Sequence, residues 1–309
     1  MVSLGTWPTP LEPMPRLAKA LGLGEHDLWV KRDDLSGLGG GGNKVRKLER
    51  TVGAALDDGA DTLVTSGAPQ SNHARLTAAA AARLGLKAVL VFPGTPDTAQ
   101  SGNYALDGLF GARIAWAGSV ELAEYARQVA DHLRADGAKP ALIPFGGSSP
   151  LGALGYADAG RELLAQLPDL ATVVVAVGSG GTMAGLVAAL GVKRVLGVDC
   201  GAVPDPHEAV AALMTGVTAL RISLDQVGAA YGTLTDEVMA ALELTARTEG
   251  IVLDPIYTGR AMAGLIAAAR SGEIAAGQRT VFLHTGGLPG FFGHPETVRR
   301  AESGAGRYE

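Results

Sequence analysis

Short apolar runs alternate with amphipathic helical patterns along almost the whole chain. The clearest run, Thr172 to Val177, is rich in β-branched residues and indicates a strand that is buried on both faces. Alternation of this kind is typical of parallel sheets covered by helices, so the sequence predicts an α/β fold. The other predicted strands are Thr62 to Thr65, Lys87 to Phe92, Arg113 to Trp116, Lys193 to Val198, Gly250 to Leu253 and Thr280 to Leu283, and the clearest predicted helices are Asn72 to Leu84, Gly102 to Phe110 and Val120 to Ala135.

The composition limits the classes of protein to which the chain can belong. Hydrophobic residues make up 47% of its 309 residues and charged residues 18%, which is typical of a soluble globular protein. The net charge of -5 gives no overall attraction to nucleic acid, and the basic residues are scattered. We expect neither a signal peptide nor a membrane-spanning segment. The single Cys200 excludes an internal disulfide and fits the reducing cytoplasm, where we expect the protein to act.

A lysine follows a run of glycines at the point where a helical pattern begins. Gly40 to Gly42 and Asn43 precede Lys44. Glycines allow positive φ angles and a close approach of the backbone to a ligand, and a lysine beside the positive end of a helix dipole loses its proton more readily. An unprotonated lysine amine can form a Schiff base with an aldehyde cofactor. For this segment alone, a flexible loop followed by a solvated basic helix face is the alternative interpretation.

A second glycine-rich loop joins the strongest predicted strand to a helix of small residues. This loop, Gly178-Ser179-Gly180-Gly181-Thr182, can direct backbone amides toward an anion at the helix N-terminus. A dinucleotide site fits less well, because Met183 stands where its third glycine would be, although Asp199 has about the spacing of a ribose-binding acid. We therefore interpret the loop as a site for a single phosphate and keep a nicotinamide oxidoreductase as the minor alternative.

Two further segments combine polar side chains with a strand end or a helix start. Ser66 to His73 follows a predicted strand, and Ser71 or Asn72 is placed to cap the next helix. Capping explains one of these residues but not a run of Gln, Ser, Asn and His, so we predict a ligand-binding loop. Asp254 to Gly259 follows another apolar run, and its tyrosine and threonine are placed where they could reach a cofactor ring. Ordinary turn chemistry is the alternative for this segment.

Together these segments resemble the pyridoxal-phosphate enzymes of the aminocyclopropane-carboxylate deaminase and D-cysteine desulfhydrase family. The likeness runs almost from end to end and includes Lys31 to Asp34, Gly146 to Tyr156 and His284 to Gly287. The resemblance implies the tryptophan-synthase β-like fold, fold type II, with two open twisted sheets flanked by helices. It also implies a smaller domain, residues 47–157, inserted into a larger cofactor-binding domain of residues 1–46 and 158–309.

The resemblance also implies roles for individual residues toward pyridoxal 5'-phosphate. Lys44 matches the Schiff-base lysine, and Lys47, one helical turn later, matches a phosphate contact. Asn72 matches the residue that hydrogen-bonds to the phenolate oxygen of the cofactor, and Ser71 matches the residue that faces the substrate carboxylate. The remaining matches are Ser179, Gly180, Gly181 and Thr182 around the phosphate, Thr258 at the pyridine nitrogen, and Tyr231 and Tyr257 as active-site tyrosines.

Thr258 and His73 indicate which branch of the family the chain follows. Ring-opening deaminases have a glutamate at the position of Thr258 and a glutamine at that of His73, whereas the desulfhydrase branch matches both residues. A carboxylate would hold the pyridine nitrogen protonated, but a threonine hydroxyl can only hydrogen-bond to it. We therefore predict a lyase that catalyses α,β-elimination, with D-cysteine giving pyruvate, sulfide and ammonia. Pro69 and the glycine stretch at Gly39 match neither branch.

Other assignments stay open at this point. Within the class, the alternatives are a 1-aminocyclopropane-1-carboxylate deaminase and a lyase acting on another β-substituted amino acid such as L-cysteate. A catalytically silent member that serves as a binding protein is a further alternative, against which the intact Lys44 argues. We expect a small amino acid as substrate, a homodimer as the commonest oligomer, no metal, and no nucleic-acid or membrane partner.

Overall fold

The computed structural model describes residues 1–96, 101–216 and 219–305, and these residues form two separate β-sheets. Strands and helices are numbered in chain order. The larger sheet contains β1 (Leu11–Pro13), β2 (Leu28–Arg32), β7 (Leu170–Val177), β8 (Val195–Asp199), β9 (Arg221–Ser223) and β10 (Arg279–His284). The smaller sheet contains β3 (Thr62–Ser66), β4 (Lys87–Phe92), β5 (Arg113–Trp116) and β6 (Pro140–Leu142).

Helices connect the strands and cover both sheets. The described helices are α1 (Pro15–Ala20), α2 (Lys44–Asp57), α3 (Asn72–Leu84), α4 (Asn103–Leu109), α5 (Leu122–Ala135), α6 (Pro150–Gln166), α7 (Gly181–Leu190), α8 (Pro206–Ala211), α9 (Asp236–Glu249), α10 (Thr258–Arg270), α11 (Leu288–Phe292) and α12 (Pro295–Ser303). Parallel strands need such crossover helices to return the chain to the same end of the sheet.

The strands in both sheets are mainly parallel. The larger sheet has the order β1-β2-β10-β7-β8-β9, and among its described strands only β1 runs antiparallel to its neighbour. The smaller sheet has the order β5-β4-β3-β6, with every neighbouring pair parallel. Both sheets have helices on their faces, as parallel sheets require. The predicted α/β class with two sheets is confirmed.

The smaller sheet lies within one stretch of the chain. Its four strands all fall between residues 62 and 142, inside the predicted insertion. Helices α2 and α6 run across the predicted limits of that insertion, at residues 47 and 157. The division into residues 47–157 and residues 1–46 with 158–309 therefore stays a prediction.

Most predicted strands and helices form where the apolar pattern placed them. Strands β4 and β5 and helix α3 have the predicted bounds. The strand predicted from Lys193 begins at Val195, because residues 192–194 form a short 3-10 helix. The pattern did not single out β1, β2, β6 and β9, of which all but β2 are only three residues long.

The strand predicted at Gly250 to Leu253 is wrong. Ile251 and Leu253 are buried in the core, as the apolar pattern requires, but the segment joins no sheet in the described chain. The carbonyl oxygen of Val252 instead accepts a hydrogen bond from Nε2 of His284 at 3.1 Å. Side-chain burial therefore produced a strand-like pattern without strand pairing.

Strand β7 passes through the centre of the larger sheet and is buried on both faces. Val173 and Val175 pack into the hydrophobic cluster on one face, while Val174 and Ala176 pack into the cluster on the other. Because successive side chains of a strand point to opposite faces, a continuous apolar run places the strand between two helical layers. The carboxyl end of β7 is thereby fixed in the interior of the larger sheet.

Two glycines allow the helices around β7 to pack closely. A Cβ atom at Gly185 of α7 would lie 2.1 Å from the carbonyl oxygen of Ala153 in α6. A Cβ atom at Gly155 of α6 would lie 2.3 Å from the carbonyl oxygen of Arg46 in α2. Only glycine permits so close an approach of two backbones. These contacts fix the start of α2 relative to the start of α7.

A buried cluster of charges joins α2 to α6 and to the N-terminal part of the chain. Arg46 donates to Asp33 from Nε at 2.8 Å and from Nη2 at 2.9 Å, and it donates to Glu162 from Nη1 at 2.9 Å. Lys31 pairs with Glu162, and the hydroxyl of Tyr156 donates to Asp33. Burial alone would raise the pKa of Asp33, but the charge of Arg46 holds that pKa below its ordinary value. Each buried charge therefore has the partner that it needs.

None of the helices in the described ranges is both long enough and apolar enough to cross a bilayer. These ranges also contain no group of three or more His, Cys, Asp or Glu residues placed to hold a metal ion. The thiol of Cys200 is free and buried.

Replacing a close-packed helical glycine is expected to weaken the fold. Gly185→Ala should lower the free energy of unfolding by about 1–3 kcal/mol, because the added methyl group must displace the backbone of α6. Gly108→Ala in α4 is the matched control, since no atom lies within 4 Å of its Cβ position. The control should raise the free energy of unfolding by about 0.5–1 kcal/mol. Denaturant unfolding of the cofactor-bound protein measures both, and equal effects would contradict the packing argument.

Candidate active site

The carboxyl ends of β3, β6, β7, β8 and β10 lead into one cavity. Ligands bind at this edge in open sheets of parallel strands. Helix α2, the loop before α3, the loop between β7 and α7, and the segment after α9 also contribute. The lining residues are Asn43, Lys44, Lys47, Ser71, Asn72, His73, Phe145, Gly146, Ala176, Gly178, Ser179, Gly180, Thr182, Ala202, Tyr257 and Thr285.

Two lysine amines of α2 reach this cavity. Lys44 is the first residue of the helix, and Lys47 follows one turn later. Burial lowers the pKa of Lys44 to about 8. Burial, and then the nearby charge of Lys44, lower the pKa of Lys47 well below its ordinary value. Part of the Lys44 population is therefore a free amine near neutral pH, the form that acts as a nucleophile or a base.

The glycine turn before Lys44 has the backbone that the sequence predicted. Each residue from Gly39 to Gly42 has a positive φ, between 54° and 132°. A Cβ atom at Gly41 would lie 1.8 Å from the carbonyl oxygen of Asp34, so only glycine fits there. Arg75 of α3 is fully buried and donates to the carbonyl oxygens of Gly39 and Gly41. The loop that places Lys44 is thus held by the helix that follows Ser71.

The loop after β7 forms an anion cradle, which we define as Ser179 to Thr182 with Lys47 and Ser148. Gly180 has a φ of 85° and precedes Gly181, the first residue of α7. A Cβ atom at Gly181 would lie 3.0 Å from Nζ of Lys47. An ammonium group, hydroxyl donors and the amides at a helix N-terminus together make a site for a phosphate.

Ser148 lies at the centre of this cradle, although the sequence pattern did not predict it as a site residue. Its Oγ accepts from the backbone N–H of Gly181 at 3.1 Å and from Nζ of Lys47 at 3.2 Å. It also shares a hydrogen bond of 2.8 Å with Oγ of Ser179. The sequence does show a glycine-serine run after β6, which marks a loop. The approach of this run to α7 is a tertiary contact, which a local pattern does not predict.

Ser71 and Asn72 lie where the loop after β3 enters α3. The hydroxyl oxygen of Ser71 accepts from the backbone N–H of Ala74 at 3.1 Å, so the predicted helix cap is confirmed. Because the oxygen accepts this bond, the hydroxyl proton stays available for a ligand. Oδ1 of Asn72 accepts from Nδ2 of Asn103 at 3.0 Å.

His73 is buried behind these two residues. Its Nε2 shares a hydrogen bond of 2.9 Å with Oγ1 of Thr65, and its Nδ1 has no partner among the described residues. Burial, followed by the charges of Lys44 and Lys47, lowers the pKa of His73 well below its ordinary value. The imidazole is therefore neutral and adds no charge to the cavity.

Tyr231 and Tyr257 form a hydrogen-bonded pair at the cavity. Tyr257 lines the cavity, and its hydroxyl lies 2.8 Å from that of Tyr231. Burial raises the pKa of Tyr257 well above its ordinary value, so this phenol keeps its proton. A Cβ atom at Gly178 would lie 3.1 Å from the ring of Tyr257, which shows how closely the loop approaches it.

Arg260, in the first turn of α10, holds the loop that carries Tyr231. This guanidinium is fully buried, and its Nη2 donates to the carbonyl oxygens of Thr233 at 2.9 Å and Ala230 at 3.3 Å. Its Nη1 donates to the carbonyl oxygen of Cys200 at 2.6 Å. The sequence did not indicate this role, because the acceptors are main-chain atoms of distant loops.

Thr258 is buried next to the cavity and is not one of its lining residues. Its Oγ1 donates to Oδ1 of Asp254 at 2.7 Å and accepts from the backbone N–H of Asp254 at 2.8 Å. The Asp254 carboxylate also accepts from the N–H groups of Ile256, Tyr257 and Thr258. Asp254 is therefore committed to its own turn, and the described lining of the cavity contains no Asp or Glu.

Asp199 does not extend toward the anion cradle as a ribose-binding acid. Its Oδ1 accepts from the backbone N–H of Gly201 at 2.9 Å, within the turn that follows β8. The carboxylate is 8% exposed and does not line the cavity. The spacing of Asp199 from the glycine loop therefore no longer supports a dinucleotide site.

Comparison with known proteins assigns the chain to one family. A family model described as "Pyridoxal-phosphate dependent enzyme" matches residues 2–286. A relative from Pyrococcus abyssi, provisionally named 1-aminocyclopropane-1-carboxylate deaminase, is 42% identical across 96% of this chain and 94% of its own length. A D-cysteine desulfhydrase from Klebsiella pneumoniae strain 342 is 41% identical across 93% of this chain and 94% of its own.

A solved structure gives the same result in three dimensions. It is described as an ACC deaminase homologue, and it matches with a TM-score of 0.87 and 38% identity over 97% of this chain and 95% of its own. The anion cradle fits the phosphate of the family's cofactor, and the buried amine of Lys44 fits its aldehyde. The chain therefore belongs to the pyridoxal-phosphate-dependent enzymes, in the family of aminocyclopropane-carboxylate deaminases and D-cysteine desulfhydrases, and pyridoxal phosphate is its cofactor.

Proposed function

We propose that this enzyme is a lyase that catalyses α,β-elimination on a small amino acid with a leaving group on Cβ, and that its substrate is D-cysteine. The observation that carries the proposal is the lack of a carboxylate among the described residues that line the cavity. Where the family resemblance gives ring-opening deaminases a glutamate, this chain has Thr258, whose hydroxyl donates to Asp254. Expulsion of a thiolate needs a weaker electron sink than the opening of a carbon ring.

Lys44 is the residue to which we assign attachment of the cofactor and transfer of the Cα proton. Pyridoxal phosphate, when bound, supplies a conjugated ring that withdraws electrons from Cα of the substrate. The pKa of Lys44, about 8, suits a base that works near neutral pH. The proton moves from Cα to Nζ of Lys44, the electron pair left behind forms the Cα–Cβ double bond, and the C–S bond breaks with its electron pair leaving on sulfur as hydrosulfide. The released enamine takes up water and loses ammonia to give pyruvate.

Lys47 and the anion cradle are assigned to the phosphate. Lys47 has the more strongly lowered pKa of the two lysines, so its pKa alone would favour it as the reactive amine. Its position argues otherwise, because Nζ lies beside Ser148 and the N-terminus of α7. A phosphate bound there favours the charged ammonium form of Lys47. Lys44 is then left as the free amine.

Ser71 is assigned to the carboxylate of the substrate. Its hydroxyl proton is available, because its oxygen already accepts from Ala74. Ser71 also stands at the N-terminus of α3, where the helix dipole favours a negative charge. These two features support a carboxylate next to Ser71, which would orient Cα toward Lys44.

The hydrogen-bonded tyrosines are assigned to the substrate side of the cavity. Because Tyr257 keeps its proton, it can donate a hydrogen bond while it accepts one from Tyr231, or the reverse. Such a pair can hold a proton close to the leaving thiolate. Arg260 keeps Tyr231 in reach through the main-chain carbonyls on either side of it.

We also propose that the enzyme is a cytoplasmic homodimer. Large apolar side chains are exposed along residues 142–154, from the end of β6 to the first turns of α6, namely Leu142, Phe145, Leu151 and Leu154, each 41–46% exposed. Exposed apolar patches of this kind mark contact surfaces. Phe145 also lines the cavity, so a partner chain on this surface would lie near the active site.

Deamination of 1-aminocyclopropane-1-carboxylate is the competing assignment. Relatives provisionally named as that deaminase are 40–42% identical to this chain, and those named as desulfhydrases are 40–41% identical. Overall identity therefore favours neither substrate. The proposal for elimination over deamination therefore depends on Thr258 and His73, the two positions at which the family resemblance separates the branches.

The purified holoenzyme is expected to release sulfide and pyruvate from D-cysteine. L-cysteine and 1-aminocyclopropane-1-carboxylate serve as matched substrates, and the latter should give no 2-oxobutyrate. Sulfide assays and detection of the oxo acids measure all the products. Efficient release of 2-oxobutyrate, with no sulfide from either cysteine enantiomer, would overturn the elimination proposal and favour the deaminase.

Introducing a charge into the anion cradle is expected to abolish tight cofactor binding. Gly180→Asp adds a carboxylate and a Cβ atom that would lie 2.8 Å from the carbonyl oxygen of Ala209. Gly191→Asp is the control, because Gly191 flanks the other end of α7, has a similar φ of 82° and has no atom within 4 Å of its Cβ position. Titration with pyridoxal phosphate should show a large loss of affinity for Gly180→Asp alone. Unchanged affinity would exclude this loop from the site.

The two tyrosine hydroxyls are expected to act as one unit. Tyr257→Phe should lower kcat by about 100-fold, as loss of a general acid or base does. Tyr231→Phe should lower kcat in the same direction, and the double variant should be no slower than Tyr257→Phe. Steady-state kinetics with D-cysteine measure the three variants. Fully additive effects would show that the hydroxyls act independently.

Charging the exposed apolar segment is expected to separate the two chains. Light scattering of the wild-type holoenzyme should give twice the mass of the 31.4 kDa chain. Leu154→Glu should shift the mass toward that of one chain, because a buried, unpaired charge opposes association. A wild-type monomer would contradict the proposed homodimer.

A further inference from the structure

We propose that Asn103, the first residue of α4, is a positioning residue that turns the side-chain amide nitrogen of Asn72 toward the cofactor. The inference rests on the contact between Asn72 and the phenolic oxygen of pyridoxal phosphate that the family resemblance implies, and on Lys44 as the residue that carries the cofactor in the proposed function. Asn103 is 31 positions away from Asn72 in the chain, is fully buried and does not line the cavity. It therefore acts through Asn72 and not on the cofactor itself.

The orientation of both amides follows from groups that can only accept or only donate. The main-chain carbonyl oxygen of Gln70 only accepts, so the Asn103 atom 2.9 Å from it must be the nitrogen, Nδ2. The same nitrogen lies 3.0 Å from the side chain of Asn72, so the Asn72 atom at this contact must be the oxygen, Oδ1. Arg75, whose side chain has only donors, faces the same oxygen from 3.5 Å.

With its oxygen engaged in this way, Asn72 has only its amide nitrogen left for the cavity. Within the described ranges this Nδ2 donates no hydrogen bond to the protein, and it is not one of the buried atoms that lack a partner. An exposed donor at the cavity is what an ionised phenolic oxygen needs. Asn103 thus selects one of the two orientations open to the Asn72 amide before the ligand arrives.

Asn103 is itself held to the loop that enters α3. Its backbone N–H donates to Oε1 of Gln70 at 3.0 Å, and Nε2 of Gln70 donates to the carbonyl oxygen of Ser101 at 2.8 Å. The start of α4 and the loop before Asn72 therefore hold each other through four hydrogen bonds. This network satisfies the polar side chain of Gln70 and the amide nitrogen of Asn103 at a fully buried helix start.

The pH titration of the cofactor's visible absorbance in the holoenzyme tests this inference. A hydrogen bond to the phenolic oxygen stabilises its ionised form, so losing the bond should raise the pH at which the cofactor gives up its proton. Asn72→Ala should raise the midpoint of this titration by about one pH unit. Asn103→Leu, similar in size but without donors, should raise the midpoint by a smaller amount. The double variant should have the midpoint of Asn72→Ala, because Asn103 acts through Asn72.

Tyr104→Phe is the matched control on the same helix. The Tyr104 ring packs against Phe92 and Trp116, with centroids 6.1 Å and 6.4 Å away, and the change leaves the amide network intact. Its midpoint should equal that of the wild type. No variant changes Lys44, Lys47, His73 or Arg75, nor Asp107, the carboxyl one turn after Asn103 on α4 whose pKa burial raises to about 8. Differences in midpoint between variants therefore report the amide. Thermal unfolding and circular dichroism of each holoenzyme establish that it is folded.

Asn103→Asp keeps the inference testable if the leucine variant does not fold. Its carboxylate has the shape of the native amide but presents only acceptors, so Asn72 should turn its nitrogen toward position 103. The midpoint should then rise more when Asn72 is present than in the Asn72→Ala background. An Asn103 variant that keeps the wild-type midpoint, while Asn72→Ala raises it, would overturn the role of Asn103. A midpoint unaffected by Asn72→Ala would instead refute the proposed contact between Asn72 and the cofactor.

Discussion

The buried pair of Arg46 and Asp33 is the interaction on which the active site depends. Arg46 lies between Lys44 and Lys47 on the first turn of α2 and points away from the cavity into a cluster with Asp33 and Glu162. A buried guanidinium is stable only with such partners. Because Arg46 is fixed, the turn that carries both lysines is fixed as well, and the close contact of Gly155 with this turn leaves little room for it to shift.

The same arrangement keeps carboxylates out of the described lining of the cavity. The carboxylates near the cavity are committed elsewhere, Asp33 to Arg46 and Asp254 to the turn that holds Thr258. The described lining presents amines, amides, hydroxyls and a neutral imidazole. Such a cavity suits a phosphate and a carboxylate, and it fits our proposal that the ring nitrogen of the cofactor has no charged partner. That property links the fold to elimination as the proposed reaction.

The sequence predicted those features that depend on local pattern. The run of β-branched residues in β7, the glycine turn before Lys44 and the cap at Ser71 all depend on neighbouring residues, and the structure has all three. It failed at Gly250 to Leu253, where burial imitates a strand, and it gave no signal for contacts between distant segments. The approach of Ser148 to α7 and the hold of Arg260 on the Tyr231 loop are of this second kind. Their partners are mostly main-chain atoms, which no residue pattern identifies.

Lys44, and not Lys47, is the amine that we assign to the cofactor, and chemical trapping distinguishes the two lysines. Borohydride reduction of the holoenzyme fixes the cofactor on the lysine that holds it, and mass spectrometry of the digested protein identifies that residue. We expect the phosphopyridoxyl group on Lys44 alone, with Lys47 unmodified. An adduct on Lys47, or no adduct on either lysine, would contradict it.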